Sequence, residues 1–95
     1  IVDPAASKFV KTHVPGAHVF KTVEAAAVEA DALALCTEWD QFTPERTDYV
    51  HAFRVMRRPS WFFDGRPGLV DPERLEHIGF NVQQLGSGRY NGRKR

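Results

Sequence analysis

Ninety-five residues suffice for one small domain, and usage of 42 % hydrophobic and 26 % charged residues is that of a globular chain, not of a disordered one. No apolar run approaches the length of a membrane span, and the single cysteine, Cys36, excludes an intramolecular disulfide framework and a cysteine-rich zinc site. The net charge of +1 is uneven: Arg89, Arg93, Lys94 and Arg95 put four of the 13 basic residues after Leu85, which leaves nine against 12 acidic ones over residues 1–85.

The elements follow in chain order. Ile1-Val2 reads as the end of a strand, broken by Asp3-Pro4. Ala5 to His13 has no clear pattern beyond a short helix. His18 to Phe20 is an extended stretch after the Pro15-Gly16 turn. Thr22 is a helix cap for Val23 to Ala30, with Glu24 in the first turn. Ala32 to Cys36 is a continuous apolar run of strand length, which predicts a strand buried on both faces and an inert, buried Cys36 thiol.

Thr37 to Phe42 mixes polar and aromatic residues and reads as a loop. Thr43-Pro44-Glu45 has the cap, proline and acid of a helix start, and Tyr49, Val50, Phe53 and Met56 share one helical face. Arg57 and Arg58 suit the negative end of that helix, and Pro59 stops it. Ser60 to Phe63 is an aromatic strand, and Asp64 to Gly68 a turn cluster. Asp71-Pro72-Glu73 starts a last helix with Leu75 and Ile78 inward and Gly79 as its stop; Phe80 to Leu85 is a last strand. Strands alternating with helices predict an α/β fold with a mostly parallel sheet flanked by helices. Residues 1–85 are expected to form it, with residues 86–95 a basic, disordered tail. No basic stripe runs along any element, which argues against a nucleic-acid role except through that tail.

In an open parallel sheet, ligands bind beyond the carboxyl ends of the strands. Thr37 to Asp40 and Asp64 to Arg66 fall there. Arg66, in a glycine-bounded turn, could pair with phosphate or carboxylate, or cap the turn through Asp64. Trp39 and Phe42 could stack a base or plug the sheet edge. Glu38 and Asp40 are poorly spaced for acid–base work. His13, His18, His51 and His77 lack metal-ligand spacing, and no glycine-rich phosphate loop is present.

These clusters carry a resemblance. Glu29 to Phe42, Trp61 to Arg66, Leu69 to Pro72 and Leu75 to Phe80, in that order and preceded by Val2-Asp3-Pro4, resemble the C-terminal UDP-sugar domain of the UDP-glucose/GDP-mannose dehydrogenases, closest to the UDP-glucose 6-dehydrogenases. The resemblance implies a Rossmann-like domain of an NAD-dependent oxidoreductase that oxidises UDP-glucose to UDP-glucuronate. It assigns a nucleotide-sugar contact to Arg66, with Asp64 and Gly65 beside it, and a site-shaping role to Thr37, Glu38 and Trp39. It assigns no catalytic, cofactor-binding or metal-binding residue to this chain: NAD belongs to the parent enzyme, and Cys36 is not the family's catalytic cysteine.

The family's first, central strand has no counterpart here, nor has its Phe-Lys motif. In a sheet of order 3-2-1-4-5-6 its loss leaves 3-2, a gap, then 4-5-6. Unpaired inner edges cost about 1–3 kcal/mol per buried group, so the remainder of the dehydrogenase chain or a neighbouring subunit, in a homo-oligomer or larger assembly, is expected to complete the sheet. An opening Ile1 rather than Met fits a cut or processed chain. The alternative is a non-catalytic relic of the domain serving as a structural or interaction subunit; a flavodoxin-like signalling domain is weakened by the absence of an acidic cluster after a first strand. The lone thiol suits a reducing, intracellular and cytoplasmic compartment.

Overall fold

The computed structural model describes residues 1–3 and 16–85. The expected turns at Asp3-Pro4 and Pro15-Gly16, the segment Ala5 to His13 and the basic tail lie wholly or partly outside the described residues. Three strands, β1 (Ala32–Leu35), β2 (Trp61–Asp64) and β3 (Asn81–Gln84), form one parallel sheet in the order β1-β2-β3. Three helices, α1 (Val23–Ala26), α2 (Tyr49–Val55) and α3 (Pro72–Ile78), precede the strands in turn. Each crossover between parallel strands is one helix, as parallel pairing requires. The expected α/β fold is the observed one, a Rossmann-like parallel sheet with helices.

The helix starts follow local chemistry. The Thr22 hydroxyl accepts from the Ala25 N–H at 3.1 Å and caps α1. Asp71 Oδ1 accepts from the Glu73 N–H at 3.0 Å and, with Pro72 in the first turn, starts α3 where the sequence predicts. Gly79 closes that helix, its N–H donating to the Leu75 carbonyl at 3.1 Å.

The helix predicted from Thr43 begins later, at Tyr49. A single turn does form, with the Thr47 N–H on the Thr43 carbonyl at 2.9 Å. The Thr43 hydroxyl, however, turns back to the Asp40 carbonyl at 2.9 Å, and the Thr47 hydroxyl to the Gln41 carbonyl at 2.7 Å. These side chains compete with helix propagation. Asp48 then starts α2 afresh, its Oδ1 accepting from the His51 N–H at 3.0 Å while its own N–H donates to Glu24 Oε2 at 2.9 Å. At the other end Arg58 Nη1 donates to the Phe53 and Met56 carbonyls at 2.6 and 2.8 Å, the cation at the helix terminus that the sequence predicts.

The core lies on the sheet face that meets the helices. Phe62 on β2 is its centre, edge-on to Tyr49 of α2 and to Phe80, with centroids 5.8 and 5.7 Å away. Leu35, Ala52, Val70 and Leu75 close around it. The opposite face carries Ala32, Ala34, Trp61 and Phe63, of which Ala32, Ala34 and Trp61 are exposed. The apolar run of β1 is therefore buried on one face, not two, among the described residues. Cys36, just past its end, is exposed, contrary to the expected buried thiol. An apolar run records burial in the finished sheet, and here no described element covers the second face.

The first residues stand apart from this sheet. The Ile1 amino group donates to the His18 carbonyl and the Phe20 N–H to the Ile1 carbonyl, both at 2.8 Å. This is the bonding of a parallel pair with Ile1 opposite Val19. Among the described residues the sheet itself holds three strands, and residues 1–3 and 18–20 are not part of it.

Candidate functional site

The strand ends bring the two predicted clusters together. The register sets Leu35 opposite Asp64, so the residues leaving β1 and β2 emerge side by side. The Gly65 N–H donates to the Leu35 carbonyl at 2.8 Å and extends the ladder one step past β2. A Cβ at position 65 would stand 2.8 Å from that same carbonyl oxygen, which only glycine avoids. The chain then turns: Asp64 Oδ1 accepts from the Arg66 N–H at 2.9 Å.

That turn aims Arg66 back across the strand ends. Its Nε donates to the Cys36 carbonyl at 3.1 Å, while the residue is exposed. The two readings of Arg66 thus separate by atom. Its backbone is held by Asp64 and its Nε by β1, which leaves both Nη groups open to solvent with no bond among the described residues. A guanidinium fixed at one edge and free at its fork is set for bidentate contact with an anion.

Asp64 itself is fully buried, and its Oδ2 has no hydrogen-bond partner among the described residues. Tyr49 lies close by, its phenol held above the ordinary tyrosine range by burial first, then by the Glu24 and Asp64 carboxylates. Its hydroxyl donates to the Phe42 carbonyl at 2.6 Å. This bond fixes the loop after β1 to α2.

Within that loop Thr37 is half-buried, and Glu38 and Trp39 are exposed, Trp39 to 38 %. Phe42 is core, while Trp39 is exposed. A short 3-10 turn over Asp40–Phe42 follows Trp39. Asp40 Oδ2 takes Arg46 Nη1 at 3.2 Å, an exposed pair that leaves Glu38 and Asp40 without the shared proton path of an acid–base couple. Sequence reasoning missed the Cys36 carbonyl and the Tyr49 hydroxyl. Their signal is the strand register and the helix face, which place them only once the elements are paired.

A groove of about 440 Å³ opens beside these strand ends, between Ile1 to Asp3 and the outer edge of β1, and reaches Cys36 and Thr37. Among the described residues no cluster of histidine, cysteine and carboxylate could hold a metal ion. Two features of the described turns bear on dinucleotide binding. The loop after β1 holds no glycine, and the N-terminus of α3 is occupied by the Asp71 carboxylate, which would repel a pyrophosphate. No described helix is long and apolar enough to cross a membrane.

The sequence has known relatives. The chain is 46 % identical over 55 residues to a UDP-glucose 6-dehydrogenase of Drosophila melanogaster, covering 58 % of this chain and 11 % of that protein. It is 44 % identical over 61 residues to UDP-glucose 6-dehydrogenase 2 of Oryza sativa subsp. japonica, covering 64 % of this chain and 12 % of that one. The chain thus spans about an eighth or less of the curated relatives it matches. The profile of the UDP-glucose/GDP-mannose dehydrogenase family, UDP binding domain, matches residues 1–72, and the chain belongs to that family.

Proposed function

We propose that this chain is the UDP-sugar-binding part of a UDP-glucose 6-dehydrogenase, non-catalytic by itself. Arg66 is the residue that carries the reading. Its Nη groups, open at the end of a parallel sheet while its Nε is anchored to Cys36, would pair with the pyrophosphate of a UDP-sugar. Asp64 and Gly65 position it, the first through the Arg66 N–H and the second through its close approach to Leu35. Thr37, Glu38 and Trp39 would shape the neighbouring wall, with Trp39 offering a stacking surface. The hydride chemistry and NAD would belong to polypeptide outside this chain, in a cytoplasmic enzyme.

The support is the family membership together with the placement of Arg66. Calorimetric titration of the chain with UDP tests the reading. Charge-assisted hydrogen bonds contribute about 1.5–3 kcal/mol, so Arg66→Ala should weaken binding by about tenfold or more. Arg66→Lys should recover only part of it, because an ammonium cannot present the fork. Equal affinity in wild type and Arg66→Ala, or no binding by the wild-type chain, would overturn the proposal.

One observation favours the second reading, a non-catalytic interaction subunit: among the described residues no strand pairs with the outer edge of β1.

A further inference from the structure

The helices of a parallel sheet run against its strands, because each carries the chain back to the start of the next strand. The starts of α2 and α3 therefore lie at the end of the molecule where β1, β2 and β3 finish. The start of α1 meets them there: Glu24, in its first turn, takes the Asp48 N–H at 2.9 Å. α1, α2 and α3 pack side by side in that order.

Helix starts favour carboxylates and helix ends favour cations, which sorts the charge of this layer. Glu24, Glu45, Asp48, Asp71 and Glu73 stand around the starts. Among the described residues Lys21, Arg46 and Arg74 are the cations there, and Arg46 is taken by Asp40 at 3.2 Å. Arg54, Arg57 and Arg58 lie toward the other end, around the close of α2, and His77 lies in the last turn of α3.

A groove of about 340 Å³ opens between the starts of α2 and α3. Val50, Val70 and Ile78 give it an apolar floor, and Val50 is 42 % exposed. Glu24, Glu45 and Asp48 line its rim, with Arg46 and Arg74.

The chain leaves the sheet at this same end. The Leu85 N–H donates to the Asp64 carbonyl at 2.7 Å, one step past β3, and ten residues follow it. Four of the ten are basic, none is acidic, and Tyr90 is the one aromatic among them. At about 3.3–3.6 Å per residue, residues 86–89 span about 13–14 Å when extended. α3 packs on β3, and a helix with its side chains is about 10–12 Å across. Arg89 and the residues after it can therefore reach past α3 to the groove.

We infer that this groove docks the chain's own C-terminal segment, residues 89–95. Tyr90 and the arginine stems cover the apolar floor, and the cationic heads meet the carboxylates of Glu24, Glu45 and Asp48. Exposed ion pairs contribute little one at a time. Tethering supplies what they lack: a segment on a short linker stands at an effective concentration of about millimolar, so contacts too weak to hold a free peptide hold this one. The basic end around Arg57 and Arg58 repels the same segment and confines it to the helix starts.

A nitroxide on residue 92 tests the docking in the full chain, as Gly92→Cys in a Cys36→Ser background, without nucleotide. Paramagnetic loss of amide signal is read along α2 and α3. In about 0.01 M salt, where the screening length is about 30 Å, residues 47–50, Arg74 and Leu75 should lose at least about twice the signal lost at Arg57 and Arg58. In about 1 M salt, where that length is about 3 Å, the difference should fall at least about twofold. Replacing Arg89, Arg93, Lys94 and Arg95 by Gln should do the same, and it leaves the body of the chain unaltered. Equal loss at both ends, or a difference that survives either treatment, would overturn the inference. So would loss that appears only between chains, in a mixture of spin-labelled and isotope-enriched copies, since the groove would then hold the segment of a second copy. The measurement needs no nucleotide, and its outcome is independent of the UDP reading.

Discussion

Gly65→Ala isolates the contact that holds the two strand ends together. The added Cβ would lie 2.8 Å from the Leu35 carbonyl oxygen, 3.9 Å from its carbonyl carbon and 4.0 Å from the Cys36 Cα. All three are backbone atoms of β1, so no side chain can swing aside. Overpacking of this kind costs about 1–3 kcal/mol. Displacing the Gly65 N–H from Leu35 adds about 0.5–1.5 kcal/mol, and the lower freedom of alanine in the unfolded chain returns about 0.4–1 kcal/mol. The net is a loss of about 0.5–4 kcal/mol, centred near 2 kcal/mol, a large share of the stability of a domain this small. Gly68→Ala is the comparison: φ is +107° and a Cβ there meets nothing within 4 Å, so its cost is conformational, about 1–2 kcal/mol. Urea unfolding followed by circular dichroism measures both. Proton–nitrogen spectra should show the Arg66 side-chain Nε–H shifted in Gly65→Ala, because its acceptor, the Cys36 carbonyl, moves with β1, and unshifted in Gly68→Ala. A Gly65→Ala protein within about 0.5 kcal/mol of wild type, with the Arg66 signal unmoved, would refute the reasoning.

Three more substitutions or treatments probe other parts of the account. Phe62→Ala removes the ring shared by Tyr49 and Phe80 and should cost about 3–5 kcal/mol, enough to leave the chain largely unfolded in a thermal melt. Tyr49 titrates higher folded than unfolded, where its value is near 10.0, so its contribution is complete below pH 10 and falls as pH rises above it; stability curves should show Tyr49→Phe losing less over that range than wild type. The same variant leaves the Phe42 carbonyl without its 2.6 Å donor and should lose about 1–3 kcal/mol at neutral pH in urea titrations. Cys36, exposed past the end of β1, should react with a chromogenic disulfide in the native chain at a rate within about tenfold of that in urea; strong protection would contradict its placement.

Much of the fold is legible in the residues because local chemistry and tertiary context agree. Asp71-Pro72-Glu73 and Gly79 mark α3 at both ends, since cap, proline and glycine act within one turn. The strand centres fall where apolar runs predict them, to within a residue at each end. The start of α2 was not legible from Thr43-Pro44-Glu45: the hydroxyls of Thr43 and Thr47 bond back to Asp40 and Gln41, a competition that depends on the loop already being folded. The exposure of Cys36 was hidden for a related reason. The run Ala32 to Cys36 tells how apolar a strand is, and not which neighbours are present to cover it. Arg66 stood out by its turn, whereas its partner, the Cys36 carbonyl, follows from the pairing of Leu35 with Asp64, which no spacing along the chain encodes.

The central claim is that a UDP-sugar is held at the strand ends by Arg66, and residue-resolved shift mapping tests it most directly. On addition of UDP to the labelled chain, the account predicts the largest changes at Gly65 and at the backbone and side-chain N–H of Arg66, with smaller ones from Cys36 to Trp39. Changes confined to other surfaces, such as the helix face around Glu24 and Asp48, or an unaltered spectrum, would contradict it.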